Sequence, residues 1–93
     1  MSTASLEVTV SNENGLHARP AMSFVDLACK FSSAIKVTRM CDEPETVDGK
    51  SIMQMLTLAA IQGTILKIDA EGEDAQAAVE SLGKLFEEGF ADE

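Results

Sequence analysis

The sequence predicts an α+β domain in which helices cover one face of a four-stranded sheet. Four segments alternate apolar and polar residues with the period of a strand, and three others place apolar residues at the spacing of a helix. They follow one another in the order βαββαβα. The 93 residues, of which 45% are hydrophobic, suffice for one core. We therefore expect residues 1–93 to form a single domain of two layers.

The first half of the chain predicts two strands joined by a helix. Apolar and polar residues alternate over 6–11, and the turn residues at 12–15 end this first strand. Helical spacing then runs over 18–31, with Pro20 in the first turn, where its missing N–H costs nothing. A second strand follows over 35–38.

The second half predicts two more strands and two helices. After an acidic turn over 42–45, a short strand runs to about Val47, and Ser51 can cap a helix. A fourth strand alternates over 66–71, and a last helix opens near Asp74, whose carboxylate suits the positive end of the helix dipole. The apolar residues expected on the short helix are Ile52, Met55, Leu56 and Ala59. Element order alone favours a ferredoxin-like split βαβ fold with an added helix.

The charge and hydropathy of the chain exclude several classes of partner. With 16 acidic and 7 basic residues, the formal net charge is −9. This disfavours nucleic acid and anionic membrane surfaces, because both are bound through basic patches. No apolar run approaches the length of a membrane span, and residues 1–5 lack the basic start of a signal peptide. We therefore expect a cytoplasmic protein.

The two cysteines are predicted to be free thiols. Cys29 falls on the apolar face of the first predicted helix and Cys41 near a turn, which fits neither a CxxC redox pair nor a zinc site. One histidine and scattered acidic residues cannot supply the usual ligand set of a metal ion. We expect neither a metal nor any other cofactor.

The only histidine of the chain, His17, lies between the first predicted strand and the first predicted helix. The N–H groups at a helix start lack partners within the helix, and the macrodipole is positive there, so the position favours an anion. A neutral imidazole nitrogen can accept a phosphoryl group, and Arg19 adds a donor matched to phosphate geometry. On local grounds alone, an ordinary surface histidine or helix cap is the more common case. A serine hydrolase lacks support, because the chain has no Gly-x-Ser-x-Gly.

Three motifs occur together in this chain at positions typical of one known family. The first is Gly-Leu-His-Ala-Arg-Pro-Ala over 15–21, the second is Gly-Lys-Ser-Ile-Met over 49–53, and the third is the segment 70–80. They resemble the active-site signature, the second-helix serine motif and the last strand–helix junction of the HPr family. That family comprises the histidine phosphocarriers of the bacterial phosphoenolpyruvate-dependent phosphotransferase system. The likeness extends over nearly the whole chain.

The resemblance implies an HPr-like open-faced β-sandwich, with three helices on one face of a four-stranded sheet, in place of the ferredoxin-like order. It implies that His17 accepts a phosphoryl group on Nδ1 from phospho-enzyme I and passes it to EIIA-type domains, with Arg19 stabilising the phosphate. Such a protein is a carrier that turns over only through its partners, and no stand-alone enzyme. We expect it to be a monomer.

The resemblance also implies a regulatory residue and a docking surface. Ser51 resembles the serine that HPr kinase/phosphorylase phosphorylates in some bacteria, although a serine before a helix can also be only an N-cap. Partners are expected to dock on an apolar patch around His17. Its members are Met22, Ile52, Met53 and Leu56. Some of these can belong to the core instead, and helical spacing favours Leu56 for that role.

Several features depart from the pattern of relatives with a role in sugar uptake. The first predicted helix carries Asp26 and only Lys30 where relatives commonly have several lysines, and the stretch 39–48 is longer and more acidic. The ending over 85–93 is similar to the nitrogen-branch relative NPr. A regulatory phosphorelay protein of the same fold is therefore the alternative to a sugar-uptake carrier. An unrelated ferredoxin-like binding module stays open if the three motifs are coincidences.

Overall fold

The computed structural model describes residues 2–58 and 60–90 and contains the predicted elements in the predicted order. In chain order they are β1 (Ser2–Thr9), α1 (Ala18–Ala28), β2 (Ala34–Arg39), β3 (Glu45–Asp48), α2 (Ile52–Thr57), β4 (Ile65–Gly72) and α3 (Ala75–Glu87). Ala59, which helical spacing assigned to the second helix, lies outside the described residues. None of the described helices is long and apolar enough to cross a membrane.

The strands form one antiparallel sheet in the order β1-β4-β2-β3. Helix α1 joins β1 to β2, and β4 lies between these two strands in the sheet. Helix α2 joins β3 to β4, and β2 lies between them. The ferredoxin-like order is wrong, because it places β1 inside the sheet, whereas here β1 is an edge strand. Alternation specifies which face of a strand is buried but not which strand lies beside it. The open-faced sandwich implied by the resemblance is confirmed.

The core lies between the sheet and the helices. Leu66, Ile68 and Ala70 alternate along the covered face of β4, and all are buried. Each helix adds fully buried side chains to the same core, among them Phe24, Met55 and Leu82. The rings of Phe24 in α1 and Phe86 in α3 meet edge to face with their centroids 6.0 Å apart. The two long helices therefore pack on each other as well as on the sheet.

The opposite face of the sheet is uncovered and carries charges of alternating sign. Glu7 of β1 lies opposite Lys67 of β4. Lys36 of β2 has an acidic neighbour on each side, Asp69 in β4 and Asp48 in β3. Opposite charges on neighbouring strands attract each other and keep this face hydrated.

Helix α1 ends at Ala28, earlier than helical spacing predicted, and Cys29 after it is exposed. Cys29 is the C-cap residue, and its N–H donates to the carbonyl of Val25 at 2.9 Å. The predicted place of Cys29 on an apolar helix face is therefore wrong, because Cys29 lies on the same side of the helix as Met22, seven positions earlier, and both are exposed. Cys29 and Cys41 are both exposed and free, as predicted for the thiols themselves.

Asp74 is the N-cap residue of α3, but its carboxylate makes no capping bond to that helix. It accepts hydrogen bonds from the N–H groups of Ser32 at 2.9 Å and Ser33 at 3.0 Å, and from the Ser33 hydroxyl. These bonds, with the hydroxyl bond as the largest cause, lower the pKa of the Asp74 carboxyl to about 2. Gly72 permits the contact, because a Cβ at that position would lie 2.5 Å from the Ser33 hydroxyl oxygen. The start of α3 is thus tied to the loop between α1 and β2.

Candidate functional site

The loop before α1 rests on the chain segment that follows α2. Gly15 has a φ of 72°, and a Cβ at this position would lie 2.5 Å from the carbonyl oxygen of Ala60. The close approach brings the N–H of Leu16 to the same carbonyl, to which it donates at 2.8 Å. The N–H of Gly15 donates to the carbonyl of Asn12 at 3.0 Å. Glycine is required at this point of the motif for both its conformation and its lack of a side chain.

His17 occupies the N-cap position of α1, and its side chain is exposed. Its backbone is extended, with φ −81° and ψ −168°, and its imidazole makes no capping hydrogen bond to the helix. The first helical bond runs from the N–H of Ala21 to the carbonyl of His17, at 3.0 Å. The N–H groups of Ala18 and Arg19 precede that bond, whereas Pro20 has none. The structure thus places an imidazole beside a helix end where N–H groups face outward.

Arg19 is exposed in the first turn of the same helix. Its charge adds to the positive end of the helix dipole, and a guanidinium offers several donors in a plane, which suits phosphate oxygens. Pro20 is buried at the same turn and fixes the start of α1 against the core. The local sequence therefore separates one buried anchor from two exposed polar side chains.

A shallow depression of about 370 Å³ lies beside His17. It is lined by Asn14, Leu16, His17, Ala18, Leu56, Ala60 and Ile61. One wall comes from the start of α1 and the other from the end of α2 and the residues after it. A group bound to the imidazole would therefore stand at an open, mostly apolar surface that a partner protein can reach.

Large apolar side chains are exposed on these two helices and on the loop that follows α2. The exposed fractions are 73% for Met53, 72% for Ile61, 55% for Met22 and 39% for Leu56, whereas Ile52 is half-buried against the core. The suggestion that Leu56 is the core residue of this helix is wrong, because Met55 takes that place and is fully buried. Sequence reasoning missed Ile61. An apolar residue next to the turn at Gly63, outside any apolar periodicity, was the available signal.

Ser51 is the N-cap residue of α2, as predicted. Its hydroxyl accepts a hydrogen bond from the N–H of Gln54 at 3.3 Å. The side-chain carbonyl of Gln54 in turn accepts from the N–H of Asp48 at 2.9 Å, which ties β3 to the start of the helix. Ser51 is half-buried, and the helix that it caps carries the exposed apolar residues Met53 and Leu56.

Comparison with known proteins places this geometry among phosphocarriers. Residues 4–88 match the family model described as the PTS HPr component phosphorylation site. The phosphocarrier protein HPr of Haemophilus influenzae is 49% identical over 82 residues, which are 88% of this chain and 93% of that protein. A multiphosphoryl transfer protein of the same organism is 44% identical over 84 residues, which are 90% of this chain but only 17% of the longer protein.

Solved structures agree with the sequence relatives. A crystal structure of HPr-C-His from Thermoanaerobacter tengcongensis superposes with a TM-score of 0.83 at 41% sequence identity. The superposition covers 100% of this chain and 99% of the other. The similarity therefore includes the loop before α1 and the two walls of the depression.

Proposed function

Since the chain belongs to the HPr family of phosphotransferase-system phosphocarriers, we propose that Nδ1 of His17 is the atom that carries the phosphoryl group. The observation that carries this proposal is the placement of the imidazole. It is exposed at the N-cap of α1, next to the positive end of the helix dipole. A partner protein can therefore bring its phosphoryl group to the ring at the surface of the molecule.

When the chain accepts the group, a lone pair of Nδ1 forms a P–N bond while the bond from phosphorus to the donor's leaving atom breaks. When it passes the group on, an atom of the acceptor bonds to phosphorus while the P–N bond breaks and returns its electron pair to Nδ1. Negative charge spreads over the phosphoryl oxygens during the displacement. The N–H groups of Ala18 and Arg19 stand at the helix end to meet one of these oxygens, and the Arg19 guanidinium supplies a charged donor for another. Pro20 supplies no N–H, so the arginine is the main source of further stabilisation.

The proposed carrier depends on partner proteins for both directions of transfer. Enzyme I donates the phosphoryl group and an EIIA-type domain accepts it, so the chain is an intermediate and no stand-alone catalyst. The open depression supports this role, because a phosphate held by a helix end and one arginine stays within reach of the next acceptor. We assign partner docking to Met22, Ile52, Met53 and Leu56, and we add Ile61 because it is exposed beside His17.

The relatives favour the phosphotransferase-system carrier over the alternative of a regulatory protein of the same fold.

Regulation through Ser51 is a second proposal. A phosphate on Ser51 would lie at a helix start and add about two negative charges next to the docking residues. The competing role, a helix cap only, accounts for the Ser51–Gln54 bond by itself. Incubation with ATP and an HPr kinase distinguishes them, since absence of a stable phosphoserine leaves only the cap.

The domain boundaries, the compartment and the oligomeric state are further parts of the proposal. One HPr domain over residues 1–93 is supported by the family match over 4–88 and by the shared core. A cytoplasmic location fits two free, exposed cysteines. We propose a monomer, whereas one similar structure from Thermoanaerobacter tengcongensis is an HPr dimer. Sedimentation at several protein concentrations tests this, because a mass that doubles with concentration contradicts the monomer.

Incubation of the chain with enzyme I and phosphoenolpyruvate tests the main proposal. The expected product is one acid-labile phosphate, which mass spectrometry locates on His17, the only histidine of the chain. His17→Ala should take up none, and Ser51→Ala should still take up one. The proposal fails if the wild-type chain stays unmodified or if His17→Ala is phosphorylated to the same extent.

A further inference from the structure

The covered face of β2 ends in a charged residue. Ile35 and Val37 lie on this face and are buried, and Arg39 is the next residue on the same side of the strand. Arg39 is paired with Leu66 of β4 and with Glu45 of β3, so it is within the sheet and not in the following loop. Alternation alone would place an apolar residue here. The guanidinium must therefore find partners at the edge of the core.

Arg39 finds its closest partner at the end of α2. Its Nη1 donates to the carbonyl of Leu58 at 2.6 Å, and its Nη2 lies 3.4 Å from the Glu45 carboxylate. Leu58 is the C-cap residue of α2, and carbonyls at a helix end lack partners within the helix. A cation is favoured at this negative end of the helix dipole, and the short distance indicates a charge-assisted bond.

The bonded helix end is continuous with the wall of the His17 depression. Leu58 is fully buried, and two residues later the carbonyl of Ala60 accepts the N–H of Leu16. Leu56 before this point and Ile61 after it both line the depression. A shift at Leu58 would therefore displace both the acceptor that anchors the loop before α1 and the apolar side chains beside the imidazole.

We propose that Arg39 is a positioning residue for phosphoryl transfer at His17. Its guanidinium fixes the C-terminal end of α2, which keeps the Ala60 carbonyl and the wall of the depression in place. Arg39 does not touch the phosphoryl group. It acts through Leu58 and Ala60. The kinetic part of this inference depends on the proposed function of His17, whereas the structural part does not.

Amide hydrogen exchange tests the structural part without any phosphoryl transfer. In Arg39→Met we expect the Leu16 amide to exchange about three to ten times faster, as the loss of a charge-assisted bond implies. Arg39→Lys keeps a charged donor and should recover much of the protection. Lys67→Met removes the same charge from the uncovered face and should leave the Leu16 amide unchanged.

Two results would overturn the structural part. One is an unchanged Leu16 amide in a folded Arg39→Met chain. The other is acceleration of the β4 amides by the same factor, which would mean that the whole fold is only less stable. If Arg39→Met does not fold, Arg39→Gln replaces it, because its amide is still a neutral donor at the edge of the core. The expectations for the Leu16 amide stay the same, because the charge is lost in both variants.

Kinetics of phosphorylation by enzyme I test the functional part. We expect Arg39→Met to raise the KM for the carrier several-fold while kcat changes less, with Arg39→Lys in between. An unchanged KM alongside a faster Leu16 amide would refute the positioning role and leave only the contact. If the wild-type chain accepts no phosphate, the proposed function fails, and the exchange result still decides the structural claim.

Discussion

Replacing Gly15 by alanine should destabilise the fold and slow phosphorylation together. The alanine would have to adopt a φ near 72°, which costs about 1–2 kcal/mol for a residue with a Cβ. Its Cβ would also stand 2.5 Å from the carbonyl oxygen of Ala60, a backbone atom that cannot rotate away. The loop must then lift, which breaks the Leu16–Ala60 hydrogen bond and costs about a further 1 kcal/mol. The expected total is about 2–3 kcal/mol.

Gly63 offers a matched control for this change. Its φ is 92°, so alanine is strained there as well, but nothing lies within 4 Å of a Cβ built on it. Gly63→Ala should therefore show the backbone strain alone, and the difference between the two variants isolates the contact with Ala60. Urea unfolding gives the free energies of unfolding, and the rate of phosphorylation by enzyme I reports the loop. If Gly15→Ala is no less stable than Gly63→Ala and equally fast, the anchoring of the loop on Ala60 is refuted.

Three further predictions concern the tie at α3, the docking surface and the cap of α2. The carboxyl pKa of Asp74 is about 2 in the folded chain, below its ordinary 3.8, so its stabilisation is present above about pH 4 and is lost as the pH falls towards 2. Urea unfolding should show wild type more stable than Asp74→Asn near neutral pH, with a gap that closes in acid, and a constant gap would contradict this. Met53→Ser and Ile61→Ser should raise the KM with enzyme I several-fold at a free energy of unfolding within about 0.5 kcal/mol of wild type. Ile65→Ser, on the uncovered face, should leave that KM unchanged, and an equal rise would reject the patch. Ser51→Ala should lower the free energy of unfolding in urea by about 1 kcal/mol, because the cap is lost. Ser51→Asp keeps an acceptor at the helix start, but its negative charge should slow phosphorylation by enzyme I. Equal phosphorylation rates for the two variants would remove the regulatory proposal.

The local elements and the position of His17 at a helix start could be predicted from sequence because their signals are local. The change from strand to helix periodicity around Gly15 identifies the place of His17, and Ser51 caps a helix as its position suggests. The strand order could not be predicted from element order, because the pairing of β1 with β4 depends on contacts between opposite ends of the chain. The resemblance supplied that information.

The parts of the site that sequence did not predict depend on contacts across the fold. Met55 and Leu56 are adjacent apolar residues that point about 100° apart on a helix, and only the packing of α2 on the rest of the fold decides that Met55 faces the core. Asp74 has the expected position at a helix start, yet its acceptor oxygens are used by a loop that precedes β2. No sequence pattern singles out Arg39. Its bond to the end of α2 forms only because the fold brings β2 next to that helix end.

The position of β1 at the edge of the sheet has a consequence for the order in which the molecule assembles. Within the part of the chain that the structure describes, β1 pairs with β4 alone, and Ser2 is paired with Gly72. β1 therefore cannot join the sheet until β4 has been synthesised. The loop that follows β1 has to wait as well, because it rests on Ala60. Such distant pairing slows folding relative to local contacts. A growing chain thus displays His17 early, but the surroundings of that histidine form only once the chain through β4 has left the ribosome.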